Sequence, residues 1–342
     1  MNLHRRILVL AAAIAVASGV ARASCEMQTK EREVVFQSGV IKLSGTLLTP
    51  ATAGAHAAIV IGHGSGSSPR GPLRPFAERF ACLGIAALVF DKRGSGESGG
   101  SWVDASLDDL SEDVLAAASF LRTQPDVDPR HVGIFGVSQS GWVIPRAALK
   151  QPDAFAFAVI ITGGGIKPID VERYDYAAAL DQMHVSPADR RDGVALVERY
   201  FAYLKNGEDR AGLEQAITDS RSKPWFRAVD MGRVMPTEAT RAKWAWVPDY
   251  DPVADIAQMR MPVLVLLGGR DRPALSVEMN RRWLTALSKN ADATVVEILN
   301  ADHGMVVEGT HHVGGGPQSY VPGYLNILDG WLRLHCGGDA NN

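Results

Sequence analysis

The chain has little cysteine, no block of like charge and no apolar run long enough to cross a bilayer. Its 342 residues include 3 cysteines, and none has the paired spacing of a metal site. A disulfide-dense scaffold is excluded, and neither a metal nor a cofactor is expected. Lys and Arg number 35 against 38 Asp and Glu, a formal net charge of −3 with the two signs interspersed. Nucleic acid and anionic membrane surfaces are therefore not expected as partners. The sole extended apolar stretch, residues 7–20, is too short for a membrane span, so no stable membrane insertion is expected. It follows Arg5 and Arg6 and ends in Ala21-Arg22-Ala23, the charged, apolar and small-residue regions of a secretory signal peptide. Residues 1–23 are read as that signal, which makes the mature protein periplasmic or secreted; an uncleaved anchor is the alternative. Cys25 raises a lipoprotein reading, but Arg22 stands where that signal needs an aliphatic residue. Cys25 is expected to pair with Cys336 and tie the ends together. Cys82 is expected to be a small buried apolar residue of a helix.

What the chain does have is regular alternation. Residues 33–36 and 41–48 read as a hairpin around Ser38-Gly39. Short apolar strands are then expected at 57–61, 86–90, 132–135 and 157–161, with helices at 72–83, 106–122 and from Ser138 to about 149. Pro145 should kink the last of these. Such alternation predicts an α/β architecture, a mostly parallel central sheet with helices on both faces. It breaks off over residues 166–255, which turn helical, polar and aromatic, with Tyr174, Tyr176, Trp225, Phe226, Trp244 and Trp246. Strands resume at 262–267 and 294–299, and a helix closes the chain at about 319–334. An insertion of that length should carry its own structure. We read 24–165 and 256–342 as the core and 166–255 as a helical cap. The cap aromatics suit equally a substrate pocket and the cap's own interior.

Chemistry concentrates at strand ends, where open parallel sheets bind ligands. The run from His131 to Gly141 reads as a buried strand, a tight turn at Ser138 and then a helix, which is the nucleophile-elbow pattern. Gly136 precedes the serine by two residues. Ser140 follows where glycine is usual, and so rivals Ser138 as nucleophile. Ile61-Gly62-His63-Gly64-Ser65-Gly66 can turn a backbone N–H into the site. Ser65 N–H and Gln139 N–H are the expected oxyanion donors. Asp91-Lys-Arg-Gly-Ser-Gly-Glu-Ser98 is read as loop structure in which Asp91 pairs with Arg93 and Ser98 makes turn bonds. Asp271, after the 262–267 strand, is the expected acid, ahead of Asp170, Asp249, Asp251 and Asp255. His303, after the last strand, is the expected base. His311-His312 reads as loop.

With Ser138, Asp271 and His303 in this order, the motifs His63-Gly64, Asp91-x-Arg93-Gly94-x-Gly96-x-Ser98, Gly136-x-Ser138, Gly-x-Asp271 and Asp302-His303-Gly304 resemble the α/β-hydrolase superfamily. Gln139-Ser-Gly-Trp142 and Ile144-Pro145 are similar to a group of exported esterases and dienelactone-hydrolase-like or acyl-peptidase-like proteins. The resemblance implies a metal-free serine hydrolase acting on a small-molecule carboxylic ester through an acyl-enzyme. An exopeptidase or amidase is the main rival, served by cap acids such as Glu172, Asp175 and Asp181. A thioesterase and a catalytically silent binding protein follow.

Overall fold

The structure, a computed structural model, describes residues 29–229, 235–307 and 320–336. The expected signal over 1–23, Cys25 and His311-His312 lie outside the described residues. Each apolar run forms a strand: β1 (Thr29–Ser38), β2 (Ile41–Pro50), β3 (His56–Gly62), β4 (Ala86–Phe90), β5 (Val127–Val137), β6 (Ala158–Ile161), β7 (Val263–Gly268) and β8 (Ala293–Ile298). Among the described residues they build one sheet in the order β1-β2-β4-β3-β5-β6-β7-β8. β2 pairs antiparallel with β1 and β4, and every neighbouring pair from β4 to β8 is parallel. The β1–β2 turn puts Gly39 at φ 57°, the left-handed conformation a two-residue hairpin turn requires at its first central position.

The helices are α1 (Arg74–Cys82), α2 (Leu107–Arg122) and α3 (Ser140–Lys150), then α4 (Pro168–Gln182), α5 (Pro187–Asn206), α6 (Arg210–Ser220), α7 (Phe226–Val229), α8 (Glu238–Trp244), α9 (Trp246–Asp249) and α10 (Val253–Ile256), and finally α11 (Pro273–Ala286) and α12 (Tyr324–Cys336). Ser106 caps α2 rather than opening it: its Oγ accepts from Asp109 N–H, and the Asp109 carboxylate accepts from Ser106 N–H. That reciprocal pair satisfies two otherwise orphaned donors and fixes where the helix starts. α3 runs through Pro145, which has no N–H to give to the Gly141 carbonyl.

Side chains alternate between the two faces of the parallel strands, as a two-residue period requires. Val60, Leu88, Ile134, Ile160 and Val265 face one core with α2, α3 and α11. Ile61, Val89, Phe135, Ile161 and Leu266 face the other with α1 and α12. Both faces are covered, so the strands carry no polar side and read as continuous apolar runs. The segment between β6 and β7 is helical from α4 to α10. Leu180, Leu196, Phe201, Leu213, Ile217 and Trp225 form a separate apolar cluster within it, so the insertion buries its own interior.

Three expectations are corrected. Cys82 is disulfide-bonded and half-buried, not an isolated apolar filler. Cys336 carries a free thiol, pushed up to about 12 by burial, so it does not pair with Cys25. The third correction concerns Arg93, whose Nε and Nη2 donate to Asp113 at 2.7 Å each rather than to Asp91. Asp91 instead accepts from Arg70 N–H at 2.7 Å, Arg70 Nη1 at 3.0 Å and Glu97 N–H at 2.9 Å. Ser98 does bind the turn: its Oγ donates to Asp91 O and accepts from Ser44 N–H. Arg93 is 8% and Asp113 3% exposed, so each charge depends on the other. Asp113→Ala is expected to destabilise the fold by about 3–5 kcal/mol by stranding the guanidinium. Urea unfolding measures this, and a loss below about 1 kcal/mol would show that Asp109 and solvent replace the lost partner.

Candidate active site

β5 ends at Val137 and α3 begins at Ser140, leaving two residues to reverse the chain. Ser138 takes that turn at φ 53°. A non-glycine residue in the left-handed region is strained, and such strain persists only where the surroundings hold it. Here the Ser138 N–H donates to Ile161 O at 2.8 Å, and Gly141 N–H donates to Ser138 O at 2.8 Å. Gly136 is required by packing: a Cβ there would lie 2.3 Å from Ser140 Cβ. Ser140 is 1% exposed and its Oγ donates to His63 O at 2.8 Å. It braces the turn against the end of β3 and cannot meet a substrate, which removes the rival to Ser138.

The other two predicted residues converge on that hydroxyl. His303 Nε2 accepts from Ser138 Oγ at 3.1 Å, and its Nδ1–H donates to Asp271 Oδ2 at 2.8 Å. Asp271 is set by the turn after β7 and its side chain is only 6% exposed. Asp302 does not join the chain of bonds; its Oδ1 accepts from Gly304 N–H and Val306 N–H and shapes the loop that carries His303. Two positioning residues were not found in the sequence. Thr162, at the end of β6 with φ 50°, donates its hydroxyl to His303 O at 3.0 Å. Arg272 Nη1 donates to Asp271 Oδ1 at 2.9 Å, and its Nε and Nη2 grip Asp175 of α4 at 2.8 and 2.7 Å. A β-branched residue in the left-handed region was the available signal for Thr162 only once the backbone was known. Arginine beside the acid was visible but carries no motif.

Ser65 and Gln139 flank the serine. Among the described residues neither backbone N–H donates to an acceptor of the chain. Free amides beside a nucleophile, one of them at a helix start, are placed to receive developing negative charge. His63 is not part of this exchange. Its Nε2–H donates to Phe90 O at 2.7 Å, and burial pushes its ring down to about 4, so it stays neutral. Lys92 lies in the loop after β4, as the sequence suggests, but is only 3% exposed, with Nζ donating to Gly64 O at 2.9 Å and Gln139 Oε1 at 2.7 Å.

A cavity of about 290 Å³ opens beside these groups, between the strand ends and the inserted helices. Ser65, Lys92 and Gln139 line its floor; Tyr176, Trp244 and Trp246 are among its walls. Trp225 and Phe226 belong to the apolar cluster inside the insertion, against which Tyr176 and Trp244 also pack. The aromatics thus serve both uses, Tyr176 and Trp244 at once. Of the three acids noted in the insertion, Asp175 is bound by Arg272 and Asp181 by Arg190 on the surface. Glu172 alone lines the cavity, and burial raises its carboxyl above the ordinary value, helped by Asp175. Among the described residues no group of three or more His, Cys, Asp or Glu side chains is placed to hold a metal ion.

The chain is similar to known proteins at three levels. The quorum-quenching protein AidA of Acinetobacter baumannii is 40% identical over 112 residues, 32% of this chain and 36% of its own length. The thiohydrolase aneE of Aspergillus aculeatus is 39% identical over 85 residues, 25% of this chain and 27% of its own. The chain thus spans about a third or less of those two relatives. The Pyrococcus furiosus esterase shares the fold with a TM-score of 0.52 at 17% identity, over 94% of this chain and 98% of that one. A sequence model of the alpha/beta hydrolase family matches residues 59–312, which reach from β3 past His303. The sheet order, the parallel strands and this match agree with the resemblance read from the motifs, and the chain belongs to the alpha/beta hydrolase family.

Proposed function

We propose that the protein is an exported serine hydrolase that cleaves carboxylic esters through an acyl-enzyme. The observation that carries this reading is the unbroken line of hydrogen bonds from Asp271 through His303 to Ser138, beside two backbone N–H groups without a partner among the described residues. Ser138 Oγ attacks the acyl carbon as His303 Nε2 takes its proton. Asp271 holds the ring in the tautomer that leaves Nε2 free and stabilises the imidazolium that forms. The oxyanion lies against Ser65 N–H and Gln139 N–H. His303 then gives the proton to the leaving alcohol, and a water activated by the same ring releases the acid. The aromatic cavity suits an apolar or aromatic acyl or alcohol group. Export rests on the 1–23 segment and is supported by the disulfide at Cys82, since such bonds persist outside reducing compartments.

Glu172 favours a second reading, a peptidase or amidase. A carboxylate in an aromatic cavity can receive a substrate ammonium. The thiohydrolase relative favours a third, thioester cleavage by the same three residues. A panel of p-nitrophenyl esters of graded acyl length, an acyl thioester and aminoacyl p-nitroanilides separates them. Ester turnover at least tenfold above the other two is expected. Anilide turnover with inert esters would move the assignment to a peptidase, and a preference for the thioester would move it to a thiohydrolase.

A further inference from the structure

Lys92 is buried at the edge of the site with no carboxylate in salt-bridge contact among the described residues; the acid that acts on it by charge, Asp113, is bound by Arg93. Burying an ammonium against two neutral oxygens is costly, and a neutral donor could hold the same atoms. The two oxygens are informative. Gly64 C=O and Ser65 N–H are opposite ends of one peptide group, which is planar and trans. A cation pulling on the carbonyl end sets the plane of that group and polarises it, strengthening the N–H at the far end as a donor. The other oxygen belongs to the Gln139 side chain, and Gln139 N–H is the second donor. A single ammonium at 2.9 and 2.7 Å therefore holds the carbonyl end of the peptide that carries one donor and the side chain of the residue that carries the other.

We propose that Lys92 is a positioning residue for the hydrolytic reaction, whose charged ammonium orients and polarises the Gly64–Ser65 peptide and anchors Gln139, so that the oxyanion site works fully only while Lys92 keeps its proton. This rests on the reading of Ser65 and Gln139 as oxyanion donors. Burial lowers the Lys92 amine to about 8, opposed by Asp113 on α2. The other titratable and charged groups around it are accounted for. His63 at the end of β3 is neutral throughout. Asp91 and Arg93 in its own turn are held by Arg70 and Asp113. Across the cavity stand Glu172 and Tyr176 of α4 and Tyr200 of α5. Burial raises both Glu172 and Tyr200, which moves the tyrosine away from this range; Glu172 loses its proton to become an anion across the cavity, a change that the Lys92 variants leave in place. The lysine works in the protonated form, so activity is full below this value and falls as pH rises through it.

The test is background-corrected kcat and KM for an activated ester between about pH 6 and 10, in the wild type, Lys92→Met and Lys92→Arg. The wild type is expected to show an alkaline fall in kcat near pH 8. Lys92→Met should lower kcat about 10- to 100-fold, somewhat less than loss of a direct oxyanion donor. Its KM should stay within about twofold, and its alkaline fall should vanish. Lys92→Arg keeps the charge at all these pH values and should recover part of kcat without the fall. If the methionine variant does not fold, Lys92→Gln supplies the uncharged comparison. A kcat within twofold of wild type, or an alkaline fall that persists unchanged without the lysine, overturns the proposal. Labelling of wild-type protein with a fluorophosphonate separates this failure from that of the serine reading. No adduct on Ser138 sinks the reading itself, whereas an adduct on Ser138 with unchanged Lys92→Met kinetics sinks only the role of Lys92.

Discussion

Ser138→Ala is expected to lower kcat for ester hydrolysis by about 10⁶-fold, the scale seen when the nucleophile of a cooperating set of three is removed. The hydroxyl is the sole group of Ser138 facing His303, at 3.1 Å from Nε2. The backbone of the turn is held by its own N–H and C=O bonds to Ile161 and Gly141. Alanine keeps a Cβ in the same strained conformation, so the fold should survive, with a Tm within a few degrees of wild type. Residual activity of more than about 1% in purified variant would place the nucleophile elsewhere. Ser140 could not take over, since it is buried and donates to His63 O.

Asp271→Asn is expected to lower kcat by about 10⁴-fold with little change in KM. The reason is specific to the partners on each oxygen. Arg272 Nη1 donates to Oδ1 at 2.9 Å, so that position must stay an acceptor. The amide oxygen of asparagine will therefore face Arg272, which turns its NH₂ toward His303 Nδ1. The ring must then accept at Nδ1 and carry its proton on Nε2, where it can no longer receive one from Ser138. Steady-state kinetics with active-site titration gives the size of the effect. A loss below tenfold would mean that Asp271 does not set the tautomer.

The sheet, the inserted helices, and Ser138, Asp271 and His303 were legible because each depends on short-range pattern. Apolar runs such as Ile59-Val60-Ile61 are buried on both faces and betray themselves without knowledge of their neighbours. The three residues each follow a strand directly, and Gly136 marks the turn. What was not legible depends on which residue meets which across the fold. Arg93 lies two residues from Asp91 yet binds Asp113 twenty residues on, because the turn points its side chain under α2. Lys92 lies in the turn that the sequence marks as loop, but its partners Gly64 and Gln139 come from the ends of β3 and β5, which only the folded sheet brings together. Cys82 was placed correctly on a helix, but its bond could not be read from spacing. Among the cavity walls, Trp244 and Trp246 could not be told from Trp225, since helix pairing in the insertion decides which tryptophans turn inward.

The most direct test of the site is covalent labelling of the purified protein with a fluorophosphonate, followed by peptide mass spectrometry. A stoichiometric adduct on Ser138, lost in His303→Ala although the protein remains folded, is the result expected of a serine activated by that histidine. An adduct on another serine, or a folded wild-type protein that takes none, would contradict the assignment of Ser138 as the nucleophile.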